Sequence, residues 1–164
     1  EFALSIGVLG QGAKTGSKNS DTYSTYAPTI FYAKGFGDLP DSLSLLKPLA
    51  VTGVLGYQLP TEQSQPKVFN WGFTVQYSLL YLNDFVKPTG WNNFFNRLVP
   101  IVEFPMQSCI TGRCSGQVIG SVNPGVIWVG DEFNISAQAV FPVNGQSGSG
   151  NGVLFQLHKY LGKD

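Results

Sequence analysis

Between residues 70 and 81 the chain places Trp71, Phe73, Val75, Tyr77, Leu79 and Tyr81 at every second position, with Asn70, Gly72, Thr74, Gln76 and Ser78 between them. A period of two is the side-chain period of an extended strand, and it sorts this segment into one large apolar face and one small polar face. One side of such a strand meets lipid or a protein core, and the other meets water.

The alternation recurs along the chain. Phe2, Leu4, Ile6 and Val8 alternate with Ala3, Ser5 and Gly7. Residues 26–34 are β-branched and aromatic, and Pro28 within them suits the start of a strand or a bulge better than a central ladder. Leu49, Val51, Gly53, Leu55 and Tyr57 alternate with Ala50, Thr52, Val54, Gly56 and Gln58. A fifth segment sets Leu98, Pro100, Val102, Phe104 and Met106 against Val99, Ile101, Glu103 and Pro105, which turns Glu103 to the polar side. Residues 116–129 form a sixth segment and residues 153–161 an eighth. In the seventh, Phe133, Ile135, Ala137, Ala139 and Phe141 oppose Asn134, Ser136 and Gln138. The expectation is eight strands. Most approach the roughly 9 to 11 residues that a tilted strand needs to cross a bilayer, and exceed the 5 to 6 usual in globular sheets.

Composition narrows the choice. Charged residues make up 12% of 164, where an ordinary soluble domain has about 25%. Lys and Arg number 10 against 10 Asp and Glu. A chain so balanced and charge-poor has no field to attract phosphate backbones, which argues against a nucleic-acid partner. No apolar run approaches the roughly 18 residues of a membrane-spanning helix. Two architectures remain: a soluble all-β domain with a neutral surface, and a β-barrel whose outside faces lipid.

The connections also alternate. Segments 11–22, 60–68, 108–115 and 143–151 are rich in Gly, Ser, Asn, Gln and Lys, and in an up-and-down arrangement they share one end. Segments 37–47, 83–97 and the tight turn at Gly130-Asp131 share the other end with both termini, and residues 91–98 suit one short amphipathic helical turn there. Charges concentrate in these connections, with Lys34, Glu103 and Lys159 the main exceptions, as a lipid-facing surface demands. The chain starts Glu1-Phe2-Ala3-Leu4, with no leader pattern, which is the expectation for a mature chain or a fragment.

Catalytic motifs are scarce. The segment Gly10-Gln11-Gly12-Ala13-Lys14-Thr15-Gly16-Ser17-Lys18 lacks the spacing and the strand-to-helix context of a phosphate-binding loop, and reads as a surface loop. Asn134-Ile135-Ser136 is a glycosylation triplet inside a strand, hence a chance match. His158, the single histidine, has no nucleophile motif to serve, so no enzyme activity, metal site or cofactor is expected. Cys109 and Cys114, five apart around a glycine, are expected to close a small disulfide ring. Glu103 either lines a channel or pairs with an Arg or Lys inside a filled barrel; the small residues Gly72, Thr74, Gly53 and Ser136, taken as inward, leave room for both. Gln76, Glu103, Asn134 and Gln138 are the candidate lumen residues. Trp71, Tyr77, Tyr81 and Trp128, with Trp91, are the candidate interfacial aromatics; in a soluble sandwich the same rings would be core.

Several strings together resemble a family: Lys34-Gly35-Phe36-Gly37-Asp38-Leu39-Pro40, Trp71-Gly72-Phe73-Thr74-Val75-Gln76-Tyr77-Ser78, Arg97-Leu98-Val99-Pro100-Ile101-Val102-Glu103, Asn123-Pro124-Gly125-Val126-Ile127-Trp128-Val129 and Gln156-Leu157-His158. In this order they are similar to the C-terminal part of bacterial outer-membrane β-barrel transporters, including the MetA-pathway phenol-degradation-like group. Members of that family usually have further strands before the point where this chain starts. The resemblance covers most of the 164 residues and implies no catalytic residues.

The leading expectation is therefore an all-β, antiparallel up-and-down transmembrane β-barrel of about eight strands over residues 1–164, complete or part of a larger barrel. It would be a passive pore or uptake channel in the outer membrane of a Gram-negative bacterium, contacting the bilayer, lipopolysaccharide or detergent. The alternative is a structural β protein that assembles with its own copies through exposed strand edges, extracellularly or in the envelope. A third class, an extracellular enzyme or lectin-like sandwich, lacks a visible constellation.

Overall fold

The computed structural model describes residues 2–12 and 23–159. Eight strands, β1 (Phe2–Gln11), β2 (Thr25–Gly35), β3 (Leu49–Pro60), β4 (Val68–Tyr77), β5 (Leu98–Cys109), β6 (Val118–Val129), β7 (Phe133–Pro142) and β8 (Gly152–Lys159), form one antiparallel sheet in sequence order. Every strand pairs with its chain neighbours, and β1 and β8 are edges. The protein is thus an all-β up-and-down meander. The phosphate-loop-like residues 13–18 and the end of the anticipated eighth strand, residues 160–161, lie outside the described residues.

Register makes the alternation continuous. Ile6, Ile30, Leu55, Trp71, Met106 and Gly120 are successive partners across six strands, and the row beside it runs Leu4, Tyr32, Gly53, Phe73 and Phe104. On the opposite face Thr52, Thr74, Glu103 and Asn123 are successive partners. Every strand residue that is buried, namely Ala27, Thr29, Gly56, Gly72, Ile101, Cys109, Asn123, Ser136 and Gln138, lies on this second face. No large side chain is fully buried among the described residues, whereas Ile6 is 76% exposed and Phe155 74%.

That distribution inverts a soluble sheet, where the apolar face is the covered one. The second face is covered because the sheet curls around it. A single hollow touches Ala3 and Ser5 on β1 and Glu103 and Pro105 on β5, which a flat sheet would hold far apart. We call the two faces inward and outward.

Three prolines, Pro28, Pro105 and Pro124, mark gaps in the ladders rather than ends. Between Tyr26↔Leu59 and Thr29↔Gly56 the β2–β3 pairing is interrupted at Pro28, and equivalent gaps occur at Pro105 between β5 and β6 and at Pro124 between β6 and β7. Because the register is the same on both sides of each gap, Pro28 sits inside a strand and makes neither a strand start nor a bulge. Lacking an N–H, it removes one rung only.

Two expectations about placement fail. β4 ends at Tyr77, because Ser78 caps a short helix: its Oγ accepts from the Tyr81 N–H at 3.2 Å. Tyr81 therefore belongs to the helical turn Leu79–Tyr81 at the rim and not to a strand face. Gly53 lies on the outward face, not the inward one. Tyr32, its partner on β2, lays its ring where a Gly53 Cβ would stand, so the glycine makes room for an aromatic neighbour.

The helical turn anticipated within 91–98 is present as Asn93–Asn96, capped by the Asn92 side chain, which accepts from the Phe95 N–H at 3.2 Å. It shares its end of the sheet with the 3-10 segment Asp41–Leu46 and the π-turn Leu82–Val86.

Candidate functional site

Strand-borne charge defines the candidate site by its scarcity. Within the strands the Asp, Glu, Lys and Arg residues are Lys34, Glu103 and Lys159. Lys34 and Lys159 are outward-facing in the terminal rows beside Phe2 and Phe133, where a long side chain can reach past the apolar band. Glu103 is different: it stands in the middle of β5 and faces inward, and the Thr74 hydroxyl donates to its Oε1 at 3.4 Å.

The four candidate lumen residues share this inward face. Gln76 lies in the row Gln76, Ile101, Gly125 and Gln138, one step from the row that holds Glu103. Asn134 pairs with His158 nearer the rim. Between them Ser136 donates from Oγ to Gln156 Oε1 at 3.3 Å. The glycosylation triplet thus lies within β7, with Asn134 and Ser136 both inward.

Two hollows line the inward face. One, of about 570 Å3, is bounded by Ser5, Thr52, Thr74 and Glu103; the other, of about 600 Å3, by Gln58, Asn70, Gln107 and Ser121. Val54 and Pro105 border both, so the hollows are neighbours along the sheet. The carboxamide oxygens of Asn70, which borders the second hollow, and of Asn123 and Gln138, which lie on the same face but border neither, are buried without a hydrogen-bond partner. A buried polar oxygen left unpaired costs about 1 to 3 kcal/mol, so each of these three atoms calls for a polar partner, while most of the surface of the two hollows is apolar.

Asn123 escaped the sequence reading. The string Asn123-Pro124-Gly125 carries turn-forming residues, and the sixth segment was not divided into faces. Counting back in twos from Trp128 through Val126 and Pro124 would have put Asn123 inward.

Of the candidate interfacial aromatics on the outward face, Tyr77 and Trp128 stand in end rows, whereas Trp71 stands in a middle row. Trp71 Nε1 donates to Ser108 Oγ at 3.0 Å, and the Tyr77 hydroxyl donates to the Leu45 carbonyl at 2.9 Å. Trp128 lies between Phe94 and Phe133, with ring centroids 6.1 and 5.8 Å away, and its indole N–H has no partner in the protein. Trp91 is half exposed on the rim beside Phe94 and Phe95.

The two ends differ. At the end opposite the terminal rows, Cys109 and Cys114 form a disulfide with Cα atoms 5.7 Å apart. Their turn is held to the β3–β4 connection, since Ile110 N–H donates to the Lys67 carbonyl at 2.8 Å and Lys67 N–H to Thr111 Oγ1 at 3.0 Å. At the other end stand the ion pairs Lys34–Asp38, Lys47–Asp41 and Arg97–Asp131, at 2.6, 2.6 and 2.9 Å. Hydrogen bonds from Lys34 and Lys47 hold the Asp38 and Asp41 carboxyls below the usual carboxylate range.

Compared with known protein families, curated proteins and solved structures, the chain matches none. What stands is the class of the fold: an antiparallel up-and-down sheet with an exposed apolar outward face and an inward face that carries Glu103 and buried carboxamides.

Proposed function

We propose that this chain is an outer-membrane β-barrel, or an eight-strand part of one, that acts as a passive pore for small polar solutes. The observation that carries the reading is the inverted sheet: its wide apolar face is open while the carboxamides of Asn123 and Gln138 are buried on the other. Lipid would cover the first face and water fill the second. All strands except β8 have 10 to 12 residues, enough for a tilted crossing. In hydrocarbon the free N–H and C=O groups along β1 and β8 each cost several kcal/mol, so both edges must be paired there. They run antiparallel to each other, which permits closure of one upon the other as well as pairing with further strands. The likeness of the five strings to outer-membrane transporters points the same way, toward a Gram-negative envelope.

Gel migration with and without boiling tests the barrel, and swelling of protein-loaded liposomes in a neutral sugar tests the pore. Fast migration of the unboiled form together with swelling is the expected pair of results. Unchanged migration and no swelling would remove the reading.

A second reading is favoured by one observation, the two open edges. Edges of this length template pairing with another copy, which would build a structural polymer in or outside the envelope. Detergent-free filaments under negative stain would select it over the pore.

A further inference from the structure

We infer that Glu103, Asn123 and Gln138 form a binding site for a single positive charge, either an alkali-metal cation or a primary ammonium group. The inference rests on the pore reading and deepens it by naming the class of solute that the inward face beside Glu103 holds.

Glu103 and Asn123 are direct cross-strand partners on the inward face, and Thr74 flanks Glu103 on the other side. Opposite residues in such a pair have Cβ atoms about 4.5 to 5.5 Å apart, close enough for both side chains to reach one ion. Gln138 comes from β7. Its Cγ lies over Gly125, within 2.6 Å of where a Cβ would be, so its side chain reaches over β6 two residues from Asn123 on the same face. Asn123 is 5% exposed and Gln138 3%, and their carboxamide oxygens have no partner. Among the described residues no Lys, Arg or His pairs with Glu103; the ion pairs lie at the rim.

The site thus offers one negative charge and two unsatisfied neutral oxygens, with the Thr74 hydroxyl as a further ligand. That set replaces the hydration shell of a monovalent cation, as carbonyl oxygens do in selective pores. A divalent ion calls for more carboxylates. Among the described residues no group of three His, Cys, Asp or Glu is present to bind one. An anion would face the Glu103 carboxylate.

The test is sodium-23 NMR line width on the folded protein in detergent, with potassium chloride and methylammonium chloride as competitors. Strand content is monitored by circular dichroism. Wild type should broaden the sodium line, and both competitors should relieve the broadening. Glu103→Gln keeps the shape and should weaken binding about tenfold, the order expected for loss of one contact to a charged group. Asn123→Asp adds a carboxylate and should tighten it. Relief by methylammonium at lower concentration than by potassium would identify the ammonium as the better ligand, and the reverse order the metal cation. Equal broadening by wild type and Glu103→Gln, or none by wild type, overturns the site. Liposome swelling in neutral sugar is independent of it: swelling without sodium binding removes the site and leaves the pore, and sodium binding without swelling does the opposite.

Discussion

On the outward face the middle rows carry Leu4, Ile30, Leu55, Trp71 and Phe104, and on the inward face Ser5, Thr29, Thr52, Thr74 and Glu103. Both sets hang from the same strands, one residue apart. In a globular sheet the first set would be covered and the second exposed, but Ile30 is 39% exposed and Thr29 3%. Lipid on the first face, as in the proposed barrel, would account for the difference. A soluble protein cannot leave so much contiguous apolar surface open without association. It also gains nothing from burying carboxamides that stay unpaired.

Substitutions that exchange the character of the faces should break this contrast most sharply. Phe73→Arg places a charge in the middle of the outward face and removes the ring stacked on Phe104 at 4.5 Å. In lipid it should cost about 2 to 4 kcal/mol. Thr74→Arg, one residue away, faces inward beside Glu103 and should be close to neutral. Urea unfolding in lipid vesicles reads both; equal losses would mean that the outward face does not meet lipid.

Glycines separate the faces at the next scale. A Cβ at Gly125 would stand 2.5 Å from the Ala137 backbone oxygen and against Gln138, so Gly125→Ala forces the strands apart and should cost about 1 to 3 kcal/mol. At Gly53 the obstacle is the far end of the Tyr32 ring, which can swing away, and Gly53→Ala should lose less than about 1 kcal/mol. The same unfolding experiment ranks them.

The disulfide concerns an end and not a face. Replacing Cys109 and Cys114 with serine releases a ring of six residues and removes up to about 2 kcal/mol in the chain-entropy account. Hydrogen exchange should quicken in residues 110–117 while the centres of β3 to β6 keep their protection.

Acidification should have the smallest effect. Asp38 and Asp41 have folded-state pKa values below their ordinary ones, so the stability from their pairs with Lys34 and Lys47 is fully present above the ordinary carboxylate pKa. It is lost as pH falls through the lowered folded values. The Asp41 side chain is exposed and that of Asp38 about half exposed, so faster exchange in residues 36–48 at low pH, with the strands unaffected, is the expected reading.

Much of the architecture is legible in the residues themselves. The alternation around Trp71 to Tyr77 separates outward from inward side chains before any pairing is known, because side chains of a strand can only point two ways. The same rule puts Gln76, Glu103, Asn134 and Gln138 on one face. It does not locate the end of β4, since Leu79 and Tyr81 keep the period of two while Ser78 offers the backbone a helix cap. Nor does it show Gly53 outward and covered by Tyr32, a contact between strands.

The sequence by itself therefore determined the strands, their two faces, the cysteine ring and the scarcity of charge, all properties of neighbours along the chain. The tertiary structure alone decided which face is covered, because curling of the sheet is a collective result of eight registers. It also decided that Glu103 stands opposite Asn123 and that Gln138 reaches over the bare backbone at Gly125, because cross-strand pairing sets both.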